Sequence, residues 1–300
     1  MTRVAAIDIG SNSTRLLVAD VDGERLSEVE RLLRITRLGD RVDERGELAD
    51  DAMERVERAV AGYAERASAL EAVRPLAVAT SAVRDAANGR EFLERLESRT
   101  GVRPRMLAGE DEARMTLRGV SSARPGPEPV VVCDIGGGST ELIAGNGDEV
   151  TFEISLDMGC VRMSERHLVS DPPRPQEIDA LRSQVRSMLP AGIPRGTPIG
   201  VAGTITTLAT IDLGLDEEVP ELVDGHGLTA ETVERELARL AGMPLAERRT
   251  VRGLMPERAP TIVAGAAILA EALLHLGAET IVVSERDILH GAALTAAELA

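Results

Sequence analysis

Lysine is absent from this 300-residue chain, and all 34 basic side chains are arginine. That excludes a Walker-type phosphate loop, which places a lysine on the phosphates. It leaves the guanidinium, beside a protonated histidine, as the cation available to oxyanions, with a fork that matches them bidentately. Aromatic residues are almost missing: Tyr63, Phe92 and Phe152 are the whole set. Binders of single-stranded nucleic acid and base-reading pockets stack bases on aromatic rings, so nucleic acid is not an expected partner. The two cysteines, Cys133 and Cys160, fit no metal spacing and read as small buried hydrophobes in a reducing compartment. No apolar run is long enough to cross a bilayer and no secretory leader opens the chain. The expectation is a cytoplasmic protein without a membrane partner.

What is present is enough apolar residue, 43% of the chain, for two domains with cores of their own. The formal net charge of −16 is unevenly spread. Residues 1–126 hold 21 Arg against 23 acids, whereas residues 127–300 hold 13 Arg against 27 acids. The first half is therefore near balance and can supply cations to a polyanion.

One short device organises the sequence. Val130-Val131-Val132 reads as a buried strand, and it runs into Cys133-Asp134-Ile135-Gly136-Gly137-Gly138-Ser139-Thr140-Glu141. Glycines let main-chain N–H groups approach an oxyanion with no Cβ in the way. Flanking carboxylates suggest a metal ion beside the phosphate. The same device opens the chain as Asp8-Ile9-Gly10-Ser11-Asn12-Ser13-Thr14-Arg15. Asp8 and Asp134, Gly10 and Gly136, Ser13 and Ser139, Thr14 and Thr140, and Leu16 and Leu142 all stand 126 residues apart. A lone glycine turn is weak evidence; a matched pair at constant offset predicts two similar domains with one phosphate loop each.

Between the loops, strand patterns at 16–21 and 25–33 meet at Asp22-Gly23, a hairpin signal. A loop follows over 38–48, then a helix from about Asp50. The strand Leu76–Ala79 ends at Thr80-Ser81-Ala82-Val83-Arg84, where open α/β sheets place ligands, so Arg84 is a candidate phosphate clamp. Gly109-Glu110-Asp111-Glu112 opens a helix, and its acids on their own read as complements to the helix dipole. The densest Pro/Gly/Ser stretch, 121–129, marks a boundary between domains 1–125 and 126–300, with a C-terminal helix at 289–299 that is a candidate to pack back on the first. In the second domain the strand 198–202 leads into Gly203-Thr204, a further oxyanion turn at a helix start. The apolar helix 262–276 reads as core, with a homodimer face as the alternative.

The motifs Asp8–Arg15, Thr80–Arg84, Gly109–Arg114, Asp134–Glu141 and Gly203-Thr204, in this order across essentially the whole chain, resemble the exopolyphosphatase/guanosine pentaphosphate phosphohydrolase family. The resemblance implies an α/β protein of the actin-like ATPase superfamily fold, with duplicated ribonuclease-H-like domains and an interdomain cleft. It implies Mg²⁺-dependent hydrolysis, with Mn²⁺ as a substitute, of the terminal phosphate of inorganic polyphosphate. The alternatives are the 5′-phosphate of guanosine pentaphosphate, and a non-catalytic sensor of polyphosphate or guanosine tetraphosphate. By motif position Glu112 is the general base, Asp134 and Glu141 hold metal or position water with Asp8 as a further metal ligand, and Arg84 grips phosphate. Neighbouring carboxylates are expected to make Glu112 more basic. Phosphates are expected at Gly10, Ser11, Asn12, Ser13 and Arg15, at Gly136, Gly137, Gly138, Ser139 and Thr140, and at Gly203 and Thr204. The chain departs from the pattern at Ala202, Pro260 and Leu289, and it stops where longer members continue, which leans towards short-chain polyphosphate.

Overall fold

A computed structural model describes residues 1–73, 75–124, 128–147 and 149–300. The expected domain boundary at 125/126, and residue 148 of the turn near Gly147, lie outside the described residues. The chain forms two compact units. One comprises Met1–Pro127, Asn146–Val150 and Arg286–Ala300; the other comprises Glu128–Gly145 and Thr151–Glu285.

The first unit begins with strands β1 (Thr2–Ile9), β2 (Ser13–Asp22) and β3 (Arg25–Ile35). A single turn, α1 (Val42–Arg45), interrupts the expected loop before the long helix α2 (Asp50–Ala69). Then come β4 (Leu76–Ala79), α3 (Ser81–Asp85), α4 (Gly89–Thr100), β5 (Pro104–Met106) and α5 (Gly109–Ala123). The second unit repeats the opening with β6 (Val130–Ile135), β7 (Thr140–Asn146) and β8 (Glu149–Leu156). It continues through α6 (Cys160–His167), α7 (Pro175–Met188), β9 (Thr197–Val201), α8 (Gly203–Asp212) and α9 (Pro220–Val223). Next are β10 (Gly227–Thr229), α10 (Ala230–Ala241), α11 (Leu245–Arg248), α12 (Ile262–Leu276) and β11 (Thr280–Val283). The last helix, α13 (Ile288–Glu298), belongs to the first unit.

The sheet orders make the duplication visible. The first is β3-β2-β1-β4-β5 and the second is β10-β11-β9-β6-β7-β8. In each, an antiparallel pair (β1 with β2, β6 with β7) is followed by a parallel neighbour (β4, β9). This is the ribonuclease-H-like sheet, and its duplication is the actin-like fold. The registers agree as well: Asp8 faces Arg15 and Ile9 faces Thr14, while Asp134 faces Glu141 and Ile135 faces Thr140.

Strand alternation explains the layers of the first unit. Ala5, Ile7, Ile9, Leu16 and Val18 pack with Val56, Val60 and Tyr63 of α2. Val4, Ala6, Leu17 and Ala19 pack on the other face with Leu289, Ala292 and Ala293 of α13. Leu289 is wholly buried against β1 and β2. Burying a leucine stabilises by about 1.5–3 kcal/mol, whereas an unpaired charge in that layer is costly. Helices α5 and α13 cross backbone to backbone: a Cβ on Gly119 would lie 1.9 Å from Asp287 O, and one on Gly291 1.9 Å from Met115 O. In the second unit α12 is core, buried from Ile262 through Leu273.

Candidate functional site

The two glycine turns are built alike. Gly10 N–H donates to Ser13 O at 3.0 Å and Gly136 N–H to Ser139 O at 3.0 Å. A Cβ on either glycine would sit 3.2 Å from that serine oxygen. In the second turn every glycine carbonyl is held from the α6 side. Gly136 O accepts from Cys160 N–H at 2.9 Å, Gly137 O from Val161 at 2.9 Å and Arg162 at 3.2 Å, and Gly138 O from Gly159 at 3.1 Å. Arg162 Nε adds a bond to Gly138 O at 2.7 Å. The peptide is planar and trans, so each N–H points opposite the preceding C=O. The amides of Gly137, Gly138 and Ser139 therefore face away from α6, in a row suited to phosphoryl oxygens. In the first turn Gly39 N–H holds Ser11 O at 2.8 Å, and Thr36 and Arg37 N–H hold Asn12 O at 3.0 and 2.9 Å. The amides of Asn12 and Ser13 are turned out in the same way.

Around the first turn, β4 ends beside β1, with Ile9 facing Ala79, and Ser11 Oγ meets Ser81 Oγ at 2.9 Å. Arg84 on α3 donates from one terminal nitrogen to Glu112 Oε2 at 3.0 Å and to Leu107 O at 3.2 Å. Of the three acids that open α5, Glu110 and Asp111 are exposed and Glu112 alone is buried, at 7% exposure. The first two serve the helix dipole, and Glu112 is the acid turned inward. Arg84 is an ion-pair partner of this buried carboxylate.

Arg15 has two partners within the first unit. Its Nε and one terminal nitrogen donate to Asp8 Oδ2 at 3.0 and 2.7 Å, and its other terminal nitrogen pairs with Asp287 Oδ2. The guanidinium is locked between two buried carboxylates, and its pKa is raised because they outweigh the cost of burial. On Asp8, Oδ2 accepts from Arg15, and Oδ1 is buried with no hydrogen-bond partner. Burial pushes the Asp8 carboxyl up, with Arg15 opposing. Burial acts on Asp287 in the same sense, but Arg15 and then His290 hold that carboxyl well below the usual range. One arginine cannot neutralise two buried acids fully, and Asp287 has His290 as a second cation.

In the second unit Asp134 and Glu141 face each other across β6 and β7, so both carboxylates leave the same side of the sheet. Ser155 Oγ on β8 donates to Glu141 Oε1 at 2.6 Å. The Thr140 hydroxyl donates to Met158 O at 2.7 Å and is fully buried. β6 and β9 run in parallel with Asp134 beside Val201, which brings Gly203-Thr204 to the same sheet end. There the Thr204 side chain packs towards α12, within 2.5 Å of a Cβ built on Gly265. What remains at this turn for an anion is the backbone at the start of α8. Both cysteines are buried, and burial pushes the Cys133 thiol far up, with Asp134 and Glu141 adding to it, and raises Cys160 too. Among the described residues no three His, Cys, Asp or Glu side chains gather into a metal-binding group.

Sequence reasoning missed Ser81, Ser155, Gly159, Arg162 and Asp287. Gly159 carried a signal, since a Cβ there would lie 2.2 Å from Gly137 O. The other four become visible only once the strands are paired.

With this geometry in place, comparison with known proteins identifies the group. The chain matches the Ppx/GppA phosphatase family over residues 17–298. The chain belongs to that family. It is 38% identical to exopolyphosphatase 2 of Mycobacterium tuberculosis over 99% of both chains. Among solved structures it resembles an exopolyphosphatase-like protein at 35% identity and TM-score 0.93, over 99% of this chain and 98% of that one. It also resembles a Ppx/GppA family member from Aquifex aeolicus at 32% identity and TM-score 0.83, covering 99% and 98% of the two chains. Among the described residues no helix is long and apolar enough to cross a membrane.

Proposed function

We propose that this Ppx/GppA family member is an exopolyphosphatase that hydrolyses the terminal phosphate of inorganic polyphosphate. The observation that carries the reading is the buried Glu112 in the first turn of α5, held by Arg84 at 3.0 Å. It is supported by family membership and by the name of the full-length mycobacterial relative.

Phosphoryl transfer needs in-line positioning and charge neutralisation more than covalent chemistry. The outward amides of Asn12 and Ser13, and of Gly137, Gly138 and Ser139, bind phosphoryl oxygens. Glu112 takes the proton of the attacking water. Arg84 orients that carboxylate and, from the same position, neutralises a phosphate. Asp134 and Glu141 are two hard-oxygen donors on one sheet face with a hydroxyl, Ser155, fixing one of them, which fits Mg²⁺ or Mn²⁺ with water completing the shell. Bound there, the ion supplies further neutralisation of phosphoryl charge. Asp8 is assigned to holding Arg15 and not to the metal.

The near absence of aromatic residues favours polyphosphate over guanosine pentaphosphate as substrate, since bases are usually stacked on such rings. The test is phosphate release with Mg²⁺ from tripolyphosphate, long-chain polyphosphate, guanosine pentaphosphate and ATP, beside Glu112→Gln. Release from polyphosphate that drops by about 10²–10⁴-fold in the variant is expected for a lost general base. Release from ATP alone, or a fully active variant, contradicts the proposal.

A further inference from the structure

Arg162 lies in the first turn of α6 and reaches the second glycine turn twice. Its backbone N–H donates to Gly137 O at 3.2 Å, and its Nε donates to Gly138 O at 2.7 Å. Gly138 O thus has two donors, the Gly159 N–H at 3.1 Å and the Arg162 side chain. The side-chain bond is charge-assisted and so roughly twice as strong as a neutral one.

The far side of that peptide matters. The Ser139 N–H points opposite Gly138 C=O, into the row of amides assigned above to phosphate. A cation on the carbonyl oxygen polarises the peptide unit and makes its N–H a better donor, because hydrogen bonds in series strengthen one another. It also fixes the peptide plane, which a run of three glycines does not do for itself. Gly159 N–H alone holds the oxygen but brings no charge.

We propose that Arg162 is a positioning residue for phosphate, acting through the Gly138–Ser139 peptide to orient and strengthen the Ser139 amide. The inference rests on reading the second glycine turn as a phosphate site. The Ser139 amide meets the phosphate before and during reaction alike, so the effect falls on binding. The loss therefore shows in KM, with kcat changing much less.

The experiment uses the full chain with Arg162→Met, which keeps the aliphatic stem and loses donor and charge, and Arg162→Lys, which restores a charged donor. Calorimetric titration with inorganic tripolyphosphate and Mg²⁺ is run beside initial rates of phosphate release and urea unfolding. The expected result is about tenfold weaker binding in Arg162→Met, a matching rise in KM, and recovery of most of the affinity in Arg162→Lys. A contact that serves only to hold α6 lowers the urea midpoint and leaves the affinity of the folded protein alone, which overturns the inference. So does a fall in kcat at unchanged KM. A wild-type chain that binds tripolyphosphate without releasing phosphate sinks the exopolyphosphatase reading, and the affinity comparison still decides the role of Arg162. Absence of tripolyphosphate binding in the wild type overturns both.

Discussion

Replacing Ala202 by glycine is expected to stabilise the second unit. Ala202 has φ 72° and ψ 170°, a region that is essentially reserved for glycine and costs a side chain about 1–3 kcal/mol. The neighbourhood explains why the bend is made there. Ala202 O accepts the Ile205 and Thr206 N–H groups at 3.1 Å and so starts α8. Gly203 is covered by Arg258, whose Cζ would lie 2.6 Å from a Cβ at that position. Arg258 in turn donates to Gly203 O and to Thr207 Oγ1, so the chain has no slack one residue later. Ala202→Gly releases the strain, returns about 0.4–1 kcal/mol through the larger entropy of the unfolded chain, and gives up a half-buried methyl worth at most about 0.8 kcal/mol. The balance is a gain of about 1 kcal/mol, read as a higher urea midpoint at unchanged slope. A lower or unchanged midpoint refutes the strain argument. If the strain is kept because it fixes the amides at the start of α8, the same variant binds tripolyphosphate more weakly while being more stable.

Two further outcomes concern the buried charges at the start of α13. Asp287 accepts Leu289 N–H through Oδ1 and pairs with Arg15 through Oδ2. Asp287→Asn keeps the cap and loses the charge, whereas Asp287→Ala loses both, so urea unfolding should place the alanine variant about 1 kcal/mol below the asparagine one; equal midpoints refute the capping role. His290 is fully buried, and although burial alone lowers its pKa, Asp287 on one side and Glu28 at 2.9 Å on the other raise it overall. A raised pKa means that this contribution to stability is complete below the unfolded value of about 6.5 and is lost as pH rises through the folded value above it. Melting temperature should therefore fall as pH is raised above about 6.5, and His290→Gln should flatten that slope; an equal slope in the variant removes His290 as its source.

Which features could be read from the sequence follows from range. The glycine turns, the Asp22-Gly23 hairpin and the strand before Arg84 are local patterns, and the constant offset exposed the duplication before any pairing was known. Gly203-Thr204 was visible for the same reason. Side-chain partners across the sheet were not. Arg15 sits in a phosphate-loop motif, and its pairing with Asp287, 272 residues away in sequence, is seen only in the folded chain. Thr140 follows Ser139 in the motif, yet strand pairing turns its hydroxyl inward to Met158. Of the acids at 110–112, composition alone singles out none, whereas motif position implied Glu112 and helix phase buries it. Single-turn helices such as α1 and α9 are too short to carry a periodic signal.

The duplication repeats backbone more faithfully than chemistry, and one position carries the difference. Asp8 and Asp134 occupy the same place in the two sheets, and each faces a cross-strand partner at the same register. Directly opposed side chains have Cβ atoms about 4.5–5.5 Å apart, close enough for their charges to settle the local chemistry. In the first unit the partner is Arg15, and acid and arginine close into an ion pair. In the second the partner is Glu141, and two facing carboxylates repel unless a proton, a hydroxyl donor or a cation lies between them. Ser155 supplies one such donor to Glu141. The same turn thus carries an acid–arginine pair in one unit and two facing carboxylates in the other, without any change of fold.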